Sequence, residues 1–234
     1  MPVEPAANAE PKPKRLFKIQ IGRSAKHLGA ELETMQTFLD GLVRSYELTE
    51  TGQGILRLLH KRTKPIAIRP GWLAVRGGFW KAAPVFDFLH RIKVGGMAIW
   101  GSIYLPADFH LRIRRSPLYT RLLVTHELIH ILYRHDFPRM TQATEAWAYW
   151  HEYKLFCEWR EGGQVLENLP IPGGAKRGKK INEALEKDQE RNPDSPFWKP
   201  ELVKHLVGSS YDWYVGYGRV RKFFLRIGSI FNRD

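Results

Sequence analysis

The segment HELIH at residues 126–130 carries three side chains whose types and spacing suit metal chemistry. In a helix, residues i and i+4 lie on one face about 5 to 6 Å apart, so His126 and His130 can both reach one tetrahedral zinc ion. Glu127 lies about 100° around the helix, beside the position that a catalytic zinc leaves open. Its carboxylate could take a proton from a water molecule whose pKa the zinc lowers to about 7. The pattern predicts a Zn2+ site and a hydrolase with Glu127 as general base.

The residues around this motif predict a buried helix. It should run from Pro117 to about Arg134, with Ser116 as its cap and the proline tolerated in the first turn. Burying two imidazoles and a carboxylate side by side is costly unless they share a metal or dense hydrogen bonding. The alternative is a core helix with two hydrogen-bonded histidines and an ion-paired glutamate. Apolar residues cover the rest of the helix: Leu122, Leu123, Val124, Leu128, Ile129, Ile131 and Leu132.

A catalytic zinc needs a third protein ligand, and the candidates are His135, Asp136, Glu145 and Glu152. The extended pattern HExxHxxGxxH is absent, because Tyr133 and Asp136 stand where that pattern has glycine and histidine. Without the glycine, the chain would have difficulty turning Asp136 back to the metal. The choice therefore depends on the second helix.

A second helix is predicted over residues 142–160, and it should return antiparallel after a turn near Phe137. His130 lies roughly 11 Å before that turn, Glu145 a similar distance after it, and Glu152 about 20 Å along the second helix. Glu145 is therefore the predicted third ligand. Glu152, two turns further on the same face, is the fallback or a hydrogen-bonding partner of the ligands. The helix dipole would also favour an acidic residue at Glu145 without any metal.

The stretch HELIHILYRH followed by TEAWAYWHEYKLF resembles the gluzincin-type zinc metallopeptidases, and more narrowly the ImmA/IrrE-type peptidases. The signature of that family is a HELxH helix followed by a helix with a Glu-Ala-x-Ala-like motif. The resemblance covers about residues 94–160 and includes the strand GGMAIWGSIYL, which in zincins lines the substrate cleft. It implies a protein or peptide substrate, Zn2+ bound by His126, His130 and Glu145, and Glu127 as general base.

The chain predicts an α+β, zincin-like fold. A small mixed sheet would pack on the active-site helix and on the second metal-ligand helix, followed by a helical C-terminal segment. Three regions are expected: a disordered tail over 1–14, the metallopeptidase domain over 15–160, and a basic loop and helical extension over 161–234 that packs on the same domain. Smaller expected elements are a strand at 16–21, helices at 28–43 and 54–60, one or two buried strands at 94–106, a flexible basic loop IPGGAKRGKK, and a helix at 181–189.

Oxyanion stabilisation in such a site usually comes from a residue outside the motif helix. The candidates by residue type are Tyr211, Tyr214, Tyr217 and His205, with ordinary packing as the alternative. Cys157 is most simply a small buried apolar residue, and as the sole cysteine it cannot form an internal disulfide.

The 234 residues carry a net charge of +13. Such a charge favours an acidic partner or nucleic acid, so the alternative to a peptidase is a basic nucleic-acid- or protein-binding module with a structural or absent metal site. No transmembrane segment and no apolar secretory leader is expected, which suits a cytoplasmic protein. Substrate identity and oligomeric state cannot be read from the sequence.

Overall fold

Six stretches of the chain are described by the computed structural model: residues 19–22, 30–70, 97–99, 101–106, 108–133 and 142–207. They form an α+β fold, as predicted, and the expected tail over 1–14 lies outside them. The elements, in chain order, are β1 (Ile19–Ile21), α1 (Ala30–Glu47), α2 (Glu50–Lys61), β2 (Ile66–Pro70), β3 (Met97–Ile99), β4 (Ser102–Leu105), α3 (Phe109–Arg115), α4 (Pro117–Leu132), α5 (Gln142–Glu161), α6 (Gly173–Arg191), α7 (Pro200–Val203) and a 3₁₀ turn (Lys204–Leu206).

The described sheet is mixed and has the strand order β1-β2-β4-β3. The first three strands in this order are parallel, whereas β3 runs antiparallel to β4. Ile68 of β2 pairs with Ile103 of β4, and both side chains are fully buried. Gly101 has a φ of 74° in the short connection from β3 to β4, where the left-handed conformation favours glycine.

Helix α4 lies against β3, β4 and α5 and is buried on nearly all sides. This burial confirms the prediction made from its apolar residues. Pro117 occupies the first turn and Ser116 the cap position, as predicted, but the Ser116 side chain makes no capping hydrogen bond. Instead, the Ser116 carbonyl accepts hydrogen bonds from the backbone N–H and the hydroxyl of Thr120.

The bounds of two helices differ from those predicted. Helix α1 is described from Ala30 and extends to Glu47, four residues beyond the predicted end at Val43. Helix α2 begins at Glu50 rather than at Gly54, because Thr49 caps it by accepting a hydrogen bond from the backbone N–H of Gly52 at 3.2 Å. The polar first turn of α2 carries no apolar periodicity, which explains the late predicted start.

The prediction of a flexible basic loop before residue 181 is wrong, because α6 already begins at Gly173. Helix α6 packs along α5 and buries Ala175, Gly178, Ile181 and Leu185. These burials offset the poor helix propensity of the glycines. No helix in the described residues is long and apolar enough to cross a membrane.

Candidate metal centre

Helices α4 and α5 bring His126, His130 and Glu145 together in the protein interior, as predicted. One carboxylate oxygen of Glu145 lies 3.1 Å from Nε2 of His126, and the other lies 3.3 Å from Nε2 of His130. Possible ligand atoms of the three residues lie within 4.8 Å of one another, and all three residues are buried. This group could hold a metal ion.

Glu152 forms a hydrogen bond with His126 at the same site. Nδ1–H of His126 donates to a Glu152 carboxylate oxygen at 2.6 Å. His126 is one turn further from the α4–α5 connection than His130, and Glu152 is two turns further than Glu145, so in an antiparallel pair both lie on the same side of the His130–Glu145 level. The sequence allows two roles for Glu152, a fallback ligand or a hydrogen-bonding partner of a ligand. The structure shows the hydrogen bond. It fixes the ring orientation of His126 and leaves Nε2 directed at Glu145.

The first turn of α6 lies over Glu152. A Cβ atom added to Gly174 would overlap the Glu152 carboxylate, so the absence of a side chain at this position lets α6 approach it closely. The positive end of the α6 dipole lies beside this carboxylate. The segment predicted as a basic loop is therefore part of the structure that supports the candidate site.

The buried charges of this centre shift one another's pKa values. Burial opposes protonation of His126, but hydrogen bonds and charges from Glu145 and Glu152 outweigh it and hold its pKa well above the usual value. Burial also opposes ionisation of Glu145, yet His130 and His126 bring its pKa below the usual range. For Glu152, burial dominates and raises the pKa despite the hydrogen bond from His126. His126 and Glu145 thus form a charged, buried pair.

The donor set fits a divalent cation. Three carboxylates and two imidazoles are buried together: His126, Glu127, His130, Glu145 and Glu152. Buried carboxylates in excess over cations are costly, and a dication would offset that charge. Nitrogen and carboxylate donors of this kind suit zinc. Without a metal, a proton on Nε2 of His126 occupies the direction that a ligand bond would take. Among the described residues, Nδ1 of His130 is buried without a hydrogen-bond partner, whereas Nδ1 of His126 is held by Glu152.

Glu127 is buried on α4 between the two histidines. Burial raises its pKa, while the neighbouring imidazoles of His126 and His130 lower it in part. Glu145 and Glu152 also act on it electrostatically, since their negative charges raise its pKa further. The charges of all four neighbouring side chains therefore act on the Glu127 carboxylate, and its affinity for a proton is increased.

Tyr149 and Arg177 also belong to this site, and the sequence analysis missed both. The Tyr149 ring packs against the His126 ring with centroids 4.7 Å apart. The Arg177 guanidinium donates a hydrogen bond to the Tyr149 hydroxyl at 2.9 Å and lies over the Tyr149 ring. Tyr149 is four residues after Glu145 and three before Glu152, so helical spacing could have placed it on the ligand face.

The other sequence candidates are not part of the described site. His205 is exposed on the 3₁₀ turn after α7. Cys157 is half-buried rather than fully buried. The remaining candidates lie outside the described residues: His135, Asp136, Tyr211, Tyr214 and Tyr217.

Comparisons of the chain with models of protein families, with curated proteins and with solved structures found no match.

The hydrogen bond from His126 to Glu152 gives a first testable prediction. Glu152→Gln is expected to weaken zinc binding about 10- to 100-fold, because a neutral amide holds the imidazole less firmly than a carboxylate does. Competition with a chromogenic zinc chelator measures this change. Glu158→Gln is the control, because Glu158 lies on the same helix but hydrogen-bonds Thr51 of α2. Equal zinc affinities for Glu152→Gln and wild type would show that this hydrogen bond does not orient a ligand.

His151 gives a prediction about pH. It is buried against Trp147, donates from Nδ1–H to the Trp147 carbonyl at 2.9 Å, and burial lowers its pKa from 6.5 to about 4. Below pH 6.5, His151 becomes protonated in the unfolded chain but stays neutral in the folded chain. The free energy of unfolding therefore falls as the pH decreases towards 4. The loss from this group approaches about 3 kcal/mol at pH 4.

Urea unfolding of wild type and His151→Phe between pH 4 and 7 tests this prediction. The variant is expected to have the smaller pH dependence, whereas His205→Phe, at an exposed site, should match wild type. Equal slopes for wild type and His151→Phe would contradict it.

Proposed function

We propose that this chain is a zinc metallopeptidase of the gluzincin type, with His126, His130 and Glu145 as ligands and Glu127 as general base. One observation carries the proposal: both Nε2 atoms of the HExxH histidines face the two oxygens of a single buried glutamate from the next helix. An ordinary core helix has no need to bury this set of groups together.

The chemistry divides between the metal and the protein. A zinc ion held by these residues would lower the pKa of a water molecule and polarise the scissile carbonyl. Glu127 takes the proton from the water and then delivers it to the leaving amine.

We assign stabilisation of the negative charge on the carbonyl oxygen to Tyr149 and Arg177. The Tyr149 ring lies against His126, and Arg177 binds its hydroxyl. The positive charge of Arg177 makes the phenol a better hydrogen-bond donor towards developing negative charge. This pair replaces His205 as the candidate for oxyanion stabilisation within the described residues.

The sheet supports a peptide as the substrate class. Strand β3 forms one edge of the described sheet and contacts α4, the helix that carries the motif. An edge strand can bind an extended peptide through backbone hydrogen bonds. A peptide paired with β3 would lie close to α4.

Metal content tests the proposal directly. Purified wild type is expected to hold about one zinc ion per chain, measured by plasma mass spectrometry, and Glu145→Gln and His126→Ala should hold almost none because each removes a ligand. Glu161→Gln, an exposed change on the same helix, should keep the metal. Wild type without stoichiometric metal, even after zinc reconstitution, would overturn the hydrolase proposal. The basic binding module would then be the better explanation, with its charge on the exposed side chains of Lys176, Lys179 and Lys180.

A further inference from the structure

A cavity lies on the side of α4 that faces away from the candidate metal centre. It has a volume of about 440 Å³ and lies between α1, α3 and α4. Arg121 lines this cavity and projects about 140° around α4 from His126 and about 180° from His130. The cavity is therefore independent of the metal centre, and its size falls in the range of small-molecule sites.

Arg121 has no anionic partner in the part of the chain that the structure describes. Its side chain is half-buried, and its Nε atom is fully buried without a hydrogen-bond partner. Among the residues that the structure describes, no carboxylate lies within 4 Å of its guanidinium. Glu33 lines the same cavity but does not form an ion pair with it. A partly desolvated guanidinium without a counter-charge is costly, and a bound anion would offset that cost.

Two hydroxyl groups face the same space. Thr34 and Thr37 line the cavity from α1, where a spacing of three residues places them on one face. Within the described part of the chain, neither hydroxyl forms a hydrogen bond with the protein. The cavity thus offers one cationic donor and two hydroxyl donors that the other described residues leave without a hydrogen-bond acceptor.

The remaining walls are apolar. Phe38 and Ile113 are both buried and contribute the apolar surface of the cavity. Pro117, the first residue of α4, lines it as well, so the positive end of the α4 dipole lies beside the arginine. A ligand that matches these walls has an apolar body and one anionic end, and Glu33 disfavours ligands with several negative charges.

We propose that this cavity binds a small organic monoanion, a carboxylate on an apolar body. Arg121 pairs with the anionic oxygens, in the forked geometry that a guanidinium offers. Thr34 and Thr37 donate hydrogen bonds to the same group. Phe38 and Ile113 pack against the apolar body.

Titration of the full chain with benzoate, phenyl phosphate and the neutral isostere benzamide tests the proposal by calorimetry. Benzoate is expected to bind, and benzamide should bind at least about tenfold more weakly. Phenyl phosphate, which is largely a dianion at neutral pH, should bind more weakly than benzoate because Glu33 lines the cavity, and stronger binding of phenyl phosphate would contradict a monoanion site. Chemical-shift changes at the Ile113 methyl groups locate the ligand in this cavity.

Variants separate a specific site from general charge attraction. Arg121→Gln should weaken anion binding at least about tenfold, whereas Arg115→Gln, which removes the same charge from an exposed position of α3, should leave it unchanged. If Arg121→Gln does not fold, the double variant Thr34→Val/Thr37→Val provides the same comparison. Anion binding that is absent at millimolar concentration, equal to that of benzamide, or equally reduced in Arg115→Gln would overturn the proposal.

Discussion

Glu127→Gln is expected to abolish most peptide hydrolysis while leaving the zinc content unchanged. The amide is nearly isosteric with the carboxylate but cannot accept a proton from water, and loss of a general base costs about 10²- to 10⁴-fold in rate. Because Glu127 is not one of the three grouped donors, its replacement removes no ligand. Cleavage of casein and of a degenerate peptide library by zinc-loaded protein, followed by mass spectrometry, gives the rate.

The controls for this variant separate catalysis from folding. Glu161→Gln makes the same chemical change at an exposed position of α5 and should keep wild-type activity. Thermal unfolding of Glu127→Gln should show a folded, zinc-loaded protein. Cleavage by Glu127→Gln at the wild-type rate, or no cleavage of either substrate by zinc-loaded wild type, would argue against a peptidase. Zinc content then decides whether a metal site remains to be explained.

The grouping of His126, His130 and Glu145 was predictable from the sequence because their spacing is local. An i, i+4 pair of histidines lies on one face of any helix, and a short connection to the next helix limits which glutamate can reach them. The helical rise of about 1.5 Å per residue places Glu145 at the level of His130 and so selects it as the third residue. It placed Glu152 beyond the metal, and the structure shows it at the level of His126, where it hydrogen-bonds Nδ1.

The packing of α6 beside the candidate site was not predictable in the same way. Its first residues, GGAKRGKK, combine glycines with charges, a composition typical of loops. The residues that make it helical contact α5, so the decisive interactions join positions distant in sequence. The contact between Tyr149 and Arg177 has the same origin, because only the docked α6 brings these side chains together. The cavity at Arg121 likewise needs three helices to be in place.

The close packing of α6 on α5 leads to the largest effect on stability that we expect. A Cβ atom at Gly178 would overlap the backbone carbonyl of Tyr149 and crowd the side chain of Tyr153. The backbone of α5 cannot move away without displacing Glu145 and Glu152, so α6 must shift. Gly178→Val should therefore cost about 3 kcal/mol in unfolding free energy, at the upper end for overpacked sites. Gly173→Val is the matched control, because nothing lies within 4 Å of a Cβ at that position.

Urea unfolding measures both variants, and zinc affinity adds a second result. If α6 shifts, Gly174 no longer lies against Glu152 and Arg177 no longer reaches Tyr149, so Gly178→Val should also bind zinc more weakly than Gly173→Val. Equal stability of the two variants would show that the helices do not approach each other as closely as the structure has them. A loss of stability with unchanged zinc affinity would instead confine the role of α6 to folding and leave Glu152 to orient His126 without it.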